Sequence, residues 1–234
     1  MDQNMSISTS HIELTNVSKR YNSANGTSLD VLKNISLSLK KGETAAIHGP
    51  SGSGKSTLLN LIGGLDTPDT GTIHVAGKNL SGLSADALAQ FRNQSVGFVF
   101  QLHHLLPQCT LRENILIPSI AGHQPSASIV TRANELMERL SIDTRANHYP
   151  SELSGGERLR AAVARSLMND PEVLLANEPT GSLDEENAIK LTDLLLEINQ
   201  SLNLTLLVVT HAQTIADRMQ VAYRIRSGSL EKSR

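Results

Sequence analysis

The sequence predicts an α/β fold whose core is a mainly parallel sheet covered by helices on both faces. Three observations predict it. Strand-like and helix-like stretches alternate along most of the 234 residues. Val173-Leu174-Leu175-Ala176 and Leu204 to Val209 are apolar without alternation, as strands buried on both faces must be. Gly49-Pro50-Ser51-Gly52-Ser53-Gly54-Lys55-Ser56-Thr57 joins a strand candidate to a helix candidate through a glycine-rich loop.

Composition sets outer limits. Hydrophobic residues make up 39% of the chain, enough to core one large domain or two small ones. The net charge is −2 and no long basic run occurs, so no nucleic-acid partner is expected. Cys109 is the single cysteine, which excludes an internal disulfide; a buried, inert thiol is expected there. The first residues lack the basic-then-apolar pattern of a secretion signal, and no apolar run approaches the roughly 20 residues that span a bilayer. The chain is expected in the cytoplasm, with any membrane crossing left to a partner.

Taken in order, residues 11–17 alternate through Ile12, Leu14 and Val17 as a strand does, Tyr21 follows, and Asn22 to Gly26 reads as a turn. Val31 to Leu39 alternates again. Lys40-Lys41-Gly42-Glu43 reads as a hairpin-like turn into a buried strand ending at His48. A helix opening at Thr57 stops at Gly63-Gly64. Thr72 to Ala76 is a strand, Ser84 caps a helix to about Asn93, and Val96 to Phe100 is a short apolar strand. Residues 102–125 differ: Pro107, Pro118 and Pro125 punctuate them, and a helical pattern resumes from Ser126 to Leu140. Residues 102–150 are read as a largely helical subdomain inserted between core segments 1–101 and 151–234. Leu153 to Glu157 opens a helix to about Met168. Glu185 to Gln200 is amphipathic, with Leu191, Leu194, Leu195 and Ile198 inward, and Val221 to Ile225 is a last strand.

Three stretches carry chemistry. The first is 49–57, which fits the phosphate-binding pattern G-x-x-x-x-G-K-[ST]. Its glycines let backbone N–H groups close on an anion, Lys55 supplies a cation, and Ser56 offers a hydroxyl to Mg2+. The bare pattern arises by chance in roughly one chain in a hundred of this length; the flanking strand and helix weaken that alternative. The second is Asn177-Glu178, where a buried strand should emerge at the ligand-binding edge of the sheet. Glu178 is placed to act as a base on water aimed at a phosphate; alone it would be an ordinary solvated acid. The third, Ser154-Gly155-Gly156, is a second glycine-opened helix N-terminus; alone it would be a flexible turn. His103-His104 is read as part of a partner-facing loop, since adjacent histidines seldom converge on one metal ion. His48, His74 and His148 are read as structural.

Together these motifs resemble the ABC-type ATPases, the nucleotide-binding subunits of ATP-binding cassette transporters, and the likeness covers nearly the whole chain. The family's Walker A is similar to Gly49–Thr57, its signature to Leu153–Glu157, and its Walker B to Val173–Glu178. The D-loop matches Ser182-Leu183-Asp184, the Q-loop Gln101, the switch histidine His211, and the adenine-stacking aromatic Tyr21. A closer resemblance, to the lipoprotein-releasing and macrolide-export branch, rests on residues 59–66, 97–107 and 177–184.

The resemblance implies a P-loop NTPase fold of the ABC ATPase type with an N-terminal antiparallel β subdomain. It implies ATP and Mg2+ as cofactors. Tyr21 would stack on adenine, residues 49–57 would wrap the phosphates, and Ser56, Gln101 and Asn177 would form the metal site. Glu178 would activate water, with His211 and Lys55 at the γ-phosphate. Ser154, Gly155 and Gly156 would reach the nucleotide of a second copy, giving a homodimer closed by ATP. An integral membrane permease contacted through 102–125 would place the chain on the cytoplasmic face of the inner membrane. Two other roles are compatible with the family: a mechanical transmitter to cell-wall enzymes, and a soluble ATPase of DNA repair or translation. Three residues depart from the family pattern. Leu159 replaces a glutamine and Ala212 an aspartate, both expected to tune surfaces. Asn177 replaces the Walker B aspartate and touches the metal site; either it slows hydrolysis, or Asp184 or a reoriented water compensates.

Overall fold

The computed structural model describes residues 10–22, 28–120, 125–181 and 183–234. The turn expected after Asn22 and Ser182 of the D-loop lie outside or partly outside them.

Two sheets form. The first is antiparallel, in the order β2-β1-β4-β5, from β1 (Ser10–Asn22), β2 (Ser28–Lys40), β4 (Thr70–Val75) and β5 (Lys78–Asn79). Alternation, shifted by one residue at a bulge around Asn16, places Ile12, Leu14, Val17, Ile35, Leu37 and Leu39 on its buried face. The second sheet runs β10-β9-β3-β8-β7-β6, from β3 (Thr44–His48), β6 (Val96–Phe100), β7 (Val173–Asn177), β8 (Thr205–Thr210), β9 (Val221–Arg226) and β10 (Ser229–Lys232). All its pairings are parallel except that of the edge strand β10. Strands β3 and β8 are buried at every residue, as their unbroken apolar runs require.

The turn at 40–43 is not a hairpin. Glu43 N still donates to Lys40 O at 3.2 Å, but β2 and β3 belong to different sheets, so the turn hands the chain from one layer to the other. Local sequence shows the turn; only the pairing partners decide the topology.

Helix α1 (Lys55–Ile62) fills the space between the sheets with Leu58, Leu59, Leu61 and Ile62. Helix α2 (Ala85–Ser95) starts where Ser84 accepts from Ala87 N. On the other face lie α3 (Leu111–Ile120), α4 (Ala127–Arg139), α5 (Gly155–Ser166), α6 (Glu185–Leu202) and the short α7 (Gln213–Ala216). Pro118 lies inside α3, within the proline-punctuated stretch of the subdomain expected to be largely helical. Packing of α3 against α5 outweighs the one helical hydrogen bond that proline removes near the helix end.

Two expectations about exposure are corrected. Leu159 is 2% exposed, a core residue of α5 and not a surface one, because the apolar stripe of the helix passes through it. Cys109 is half-buried, not buried, on the connection before α3.

Parallel register aligns the site. Phe100 pairs with Asn177, Asn177 with Val209, and Ile47 also with Val209. Gln101, Glu178, His211 and Gly49 therefore all leave the sheet at one edge, its carboxyl end.

Candidate functional site

The loop between β3 and α1 is shaped around the first helical N–H groups. Gly54, at φ 102°, occupies the left-handed region. A Cβ on Gly49 would lie 2.3 Å from Ile225 O, so only glycine allows this approach to β9. Lys55 is 6% exposed, and its Nζ donates to Gly49 O and Pro50 O, both at 3.0 Å. The buried Ser53 hydroxyl has no partner among the described residues. A helix N-terminus with no acid in its first turn, a sequestered lysine and an unsatisfied hydroxyl make a cradle for a polyanion.

Opposite stands the end of β7. Ser56 Oγ donates to Asn177 Oδ1 at 3.1 Å. Glu178 follows with φ 49°, an uncommon conformation for a residue bearing a side chain. Its backbone N donates to Val209 O at 2.9 Å, which anchors that turn. Its carboxylate is 15% exposed and shared. Oε1 lies 3.5 Å from Lys55 Nζ, and Oε2 lies 2.6 Å from His211 Nδ1 and accepts from His211 N at 3.2 Å. Ser51, Gly52, Gly54, Lys55, Ser56, Thr57, Gln101, Glu178 and His211 line one cavity of about 680 Å³, and Val31 joins them from β2.

Tyr21 meets the Thr57 side chain beside this cavity, and the signature residues lie elsewhere. Tyr21 is 41% exposed near the end of β1 and is not in that cavity's lining. Its hydroxyl donates to Asp66 Oδ2 at 2.6 Å, while burial and the Asp66 carboxylate raise the phenol above its ordinary value. Asp66 also accepts from Lys19 Nζ at 2.8 Å. This Lys19–Asp66 pair was missed in the sequence. Its signal was a lysine on the inward face of β1, where an unpaired charge could not stay.

Ser154, Gly155 and Gly156 line a separate cavity of about 470 Å³ with Leu183, Asp184 and Asn187. Ser154 Oγ caps α5 by accepting from Glu157 N, and Glu157 Oε2 accepts from Ser154 N at 2.8 Å. These bonds and the Arg145 guanidinium hold the Glu157 carboxyl down at about 2. Nothing lies within 4 Å of the position a side chain would take at Gly155 or Gly156, so this helix start is open. Asp184 lines this second cavity and not the one that holds Ser56. Its oxygens cap α6, accepting from Asn187 N at 2.9 Å and Asn187 Nδ2 at 2.7 Å.

Residues 32–181 match the family described as ABC transporter. The chain belongs to the ABC transporter family. As a member it is an ATP-binding, ATP-hydrolysing cassette. It is 46% identical over 217 residues to the lipoprotein-releasing system ATP-binding protein LolD 1 of Rhodopirellula baltica, covering 93% of this chain and 94% of that protein. The dimeric MJ0796, a bacterial ABC transporter cassette, superposes with a TM-score of 0.85 at 38% identity, covering 95% of this chain and 99% of that one. The dimeric post-hydrolysis state of the same cassette, bound to ADP and Pi, superposes with a TM-score of 0.85 at 36% identity over the same shares.

Proposed function

We propose that this chain is the ATPase of a lipoprotein-releasing exporter, working as a homodimer under a membrane permease on the cytoplasmic side. One observation carries the reading: the end-to-end likeness to a lipoprotein-releasing ATP-binding protein at 46% identity. It also weighs against the transmitter and DNA-repair roles. Among the described residues no helix is long and apolar enough to cross a membrane, which is consistent with a separate permease.

The site performs hydrolysis as follows. The phosphates of ATP take over Lys55 from the carbonyls of Gly49 and Pro50. As the lysine turns to them, its ion pair with Glu178 Oε1 weakens. That oxygen then accepts a proton from a water aimed at the γ-phosphate, while His211 holds the other oxygen in place. Ser56, Gln101 and Asn177 offer hard oxygen atoms beside the cradle, a set that suits Mg2+, which takes few protein ligands besides phosphate. Mg2+ bound there would offset the charge on the phosphates. Tyr21 takes the adenine. Ser154 and Gly156 complete the nucleotide site of a second copy, a role supported by their open helix start and separate cavity.

The test is reconstitution with the permease in proteoliposomes loaded with a lipoprotein. ATP should release the lipoprotein with the wild-type chain and not with Lys55→Ala. Hydrolysis without release would remove the substrate assignment; no hydrolysis would remove the enzyme.

A further inference from the structure

The oxygen that the Ser56 hydroxyl meets is uncharged. Ser56 Oγ donates to the Asn177 amide, and Gln101 lines the same cavity. Two carboxylates follow closely in sequence, and both are committed. Glu178 faces Lys55 and His211; Asp184 caps α6 and lines the other cavity. Among the described residues, no three His, Cys, Asp or Glu side chains gather to hold a metal. Hard divalent cations gain most from anionic oxygen, and the charge count of the ligands shifts their affinity by decades. An amide keeps the shape of a carboxylate and one acceptor oxygen but not the charge.

The same neutrality favours a nucleotide that carries no cation. Among the described residues, Lys55 is the one permanently charged cation lining the cavity, and Glu178 the one carboxylate. A second carboxylate at 177 would sit beside Glu178 and repel bare phosphates.

We propose that Asn177 makes nucleotide binding at this site nearly independent of the divalent cation, the P-loop supplying the affinity and the phosphates the only charged oxygens that retain the metal. This deepens the nucleotide reading above and rests on it.

A fluorescent non-hydrolysable ATP analogue titrated into the full chain tests it, once in EDTA and once in excess Mg2+. The wild-type Kd should differ by less than about threefold between the two. Asn177→Asp should bind more weakly than wild type in EDTA and at least as tightly in Mg2+, so that its dependence reaches about tenfold or more. With the analogue bound, Mn2+ followed by electron paramagnetic resonance should be held more tightly by Asn177→Asp than by wild type. A wild-type affinity that falls about tenfold on removing the cation overturns the proposal without recourse to any variant. So does an Asn177→Asp protein whose titrations superimpose on wild type. No binding by either protein in either buffer would instead overturn the nucleotide site itself, and this inference with it.

Discussion

Glu178 answers to two partners at once. Lys55 holds one carboxylate oxygen and His211 the other, and the left-handed backbone at Glu178 is kept where both can be reached. A glutamine there preserves size and one acceptor oxygen but cannot take a proton from water. Glu178→Gln should therefore bind ATP like wild type while turnover falls by about 100-fold or more, read as steady-state phosphate release. Turnover near wild type would remove Glu178 from the base role. Glu178 and Lys55 were legible in the sequence because a loop motif and a strand end mark them. Leu159 was not legible. Its family position suggests a polar surface residue, and only the assembled helix layer shows its side chain facing the core. The Lys19–Asp66 pair was hidden for another reason: its members are 47 positions apart, and no local pattern links them.

The connection from β6 into α3 is held by one buried amide. Asn114 Oδ1 accepts from Leu106 N at 2.7 Å, and its Nδ2 donates to the carbonyls of Leu106, Cys109 and Thr110. Leu106 O and Thr110 O also accept from Cys109 N and Asn114 N, so Asn114→Ala takes the partner only from Leu106 N and Cys109 O and should cost about 2–4 kcal/mol in urea unfolding. The same connection separates its leucines. Leu105 packs on the helical core, whereas Leu102 is 76% and Leu106 is 40% exposed. The pair Leu102→Asp and Leu106→Asp should keep basal ATP hydrolysis and lose stimulation by the permease; unchanged stimulation would place the docking surface elsewhere. Leu105→Asp should instead destabilise the chain, an outcome the proline-rich sequence does not show, since all three leucines look alike in it. In α5, the Glu157 carboxyl is held at about 2 against an ordinary 4.5. A lowered carboxyl contributes stability above its unfolded pKa and loses it as pH falls from about 4.5 toward 2. Glu157→Gln keeps a capping acceptor but no charge, so its urea midpoint should lie below wild type at pH 7 and converge with it as pH falls from about 4.5 toward 2. A gap that does not narrow would show that the charge contributes nothing to the cap.

At the scale of the whole molecule, the strands of the parallel sheet were legible to within one or two residues, because the central strands buried on both faces leave apolar runs and β9 alternates toward its end. The additional strands β5 and β10 were not: each is short, polar and at a sheet edge, where little burial marks it. The division of the site between two cavities has its own test. Lys55→Ala breaks the P-loop and Ser154→Arg fills the open helix start, so neither protein should hydrolyse ATP alone. Mixed, they should regain activity, since one P-loop and one signature stay intact across the pair; a mixture as inactive as its parts would refute shared sites. With ATP, Glu178→Gln should sediment as a dimer. A lone chain holding half of each site then obeys bimolecular kinetics. In dilute solution its rate rises with the square of its concentration, and each dilution costs specific activity. Two copies docked side by side on a permease escape that law, because each meets the other at an effective molarity set by geometry, in the millimolar range for short tethers. A permease of the proposed kind would thus act as a concentration device before any transport.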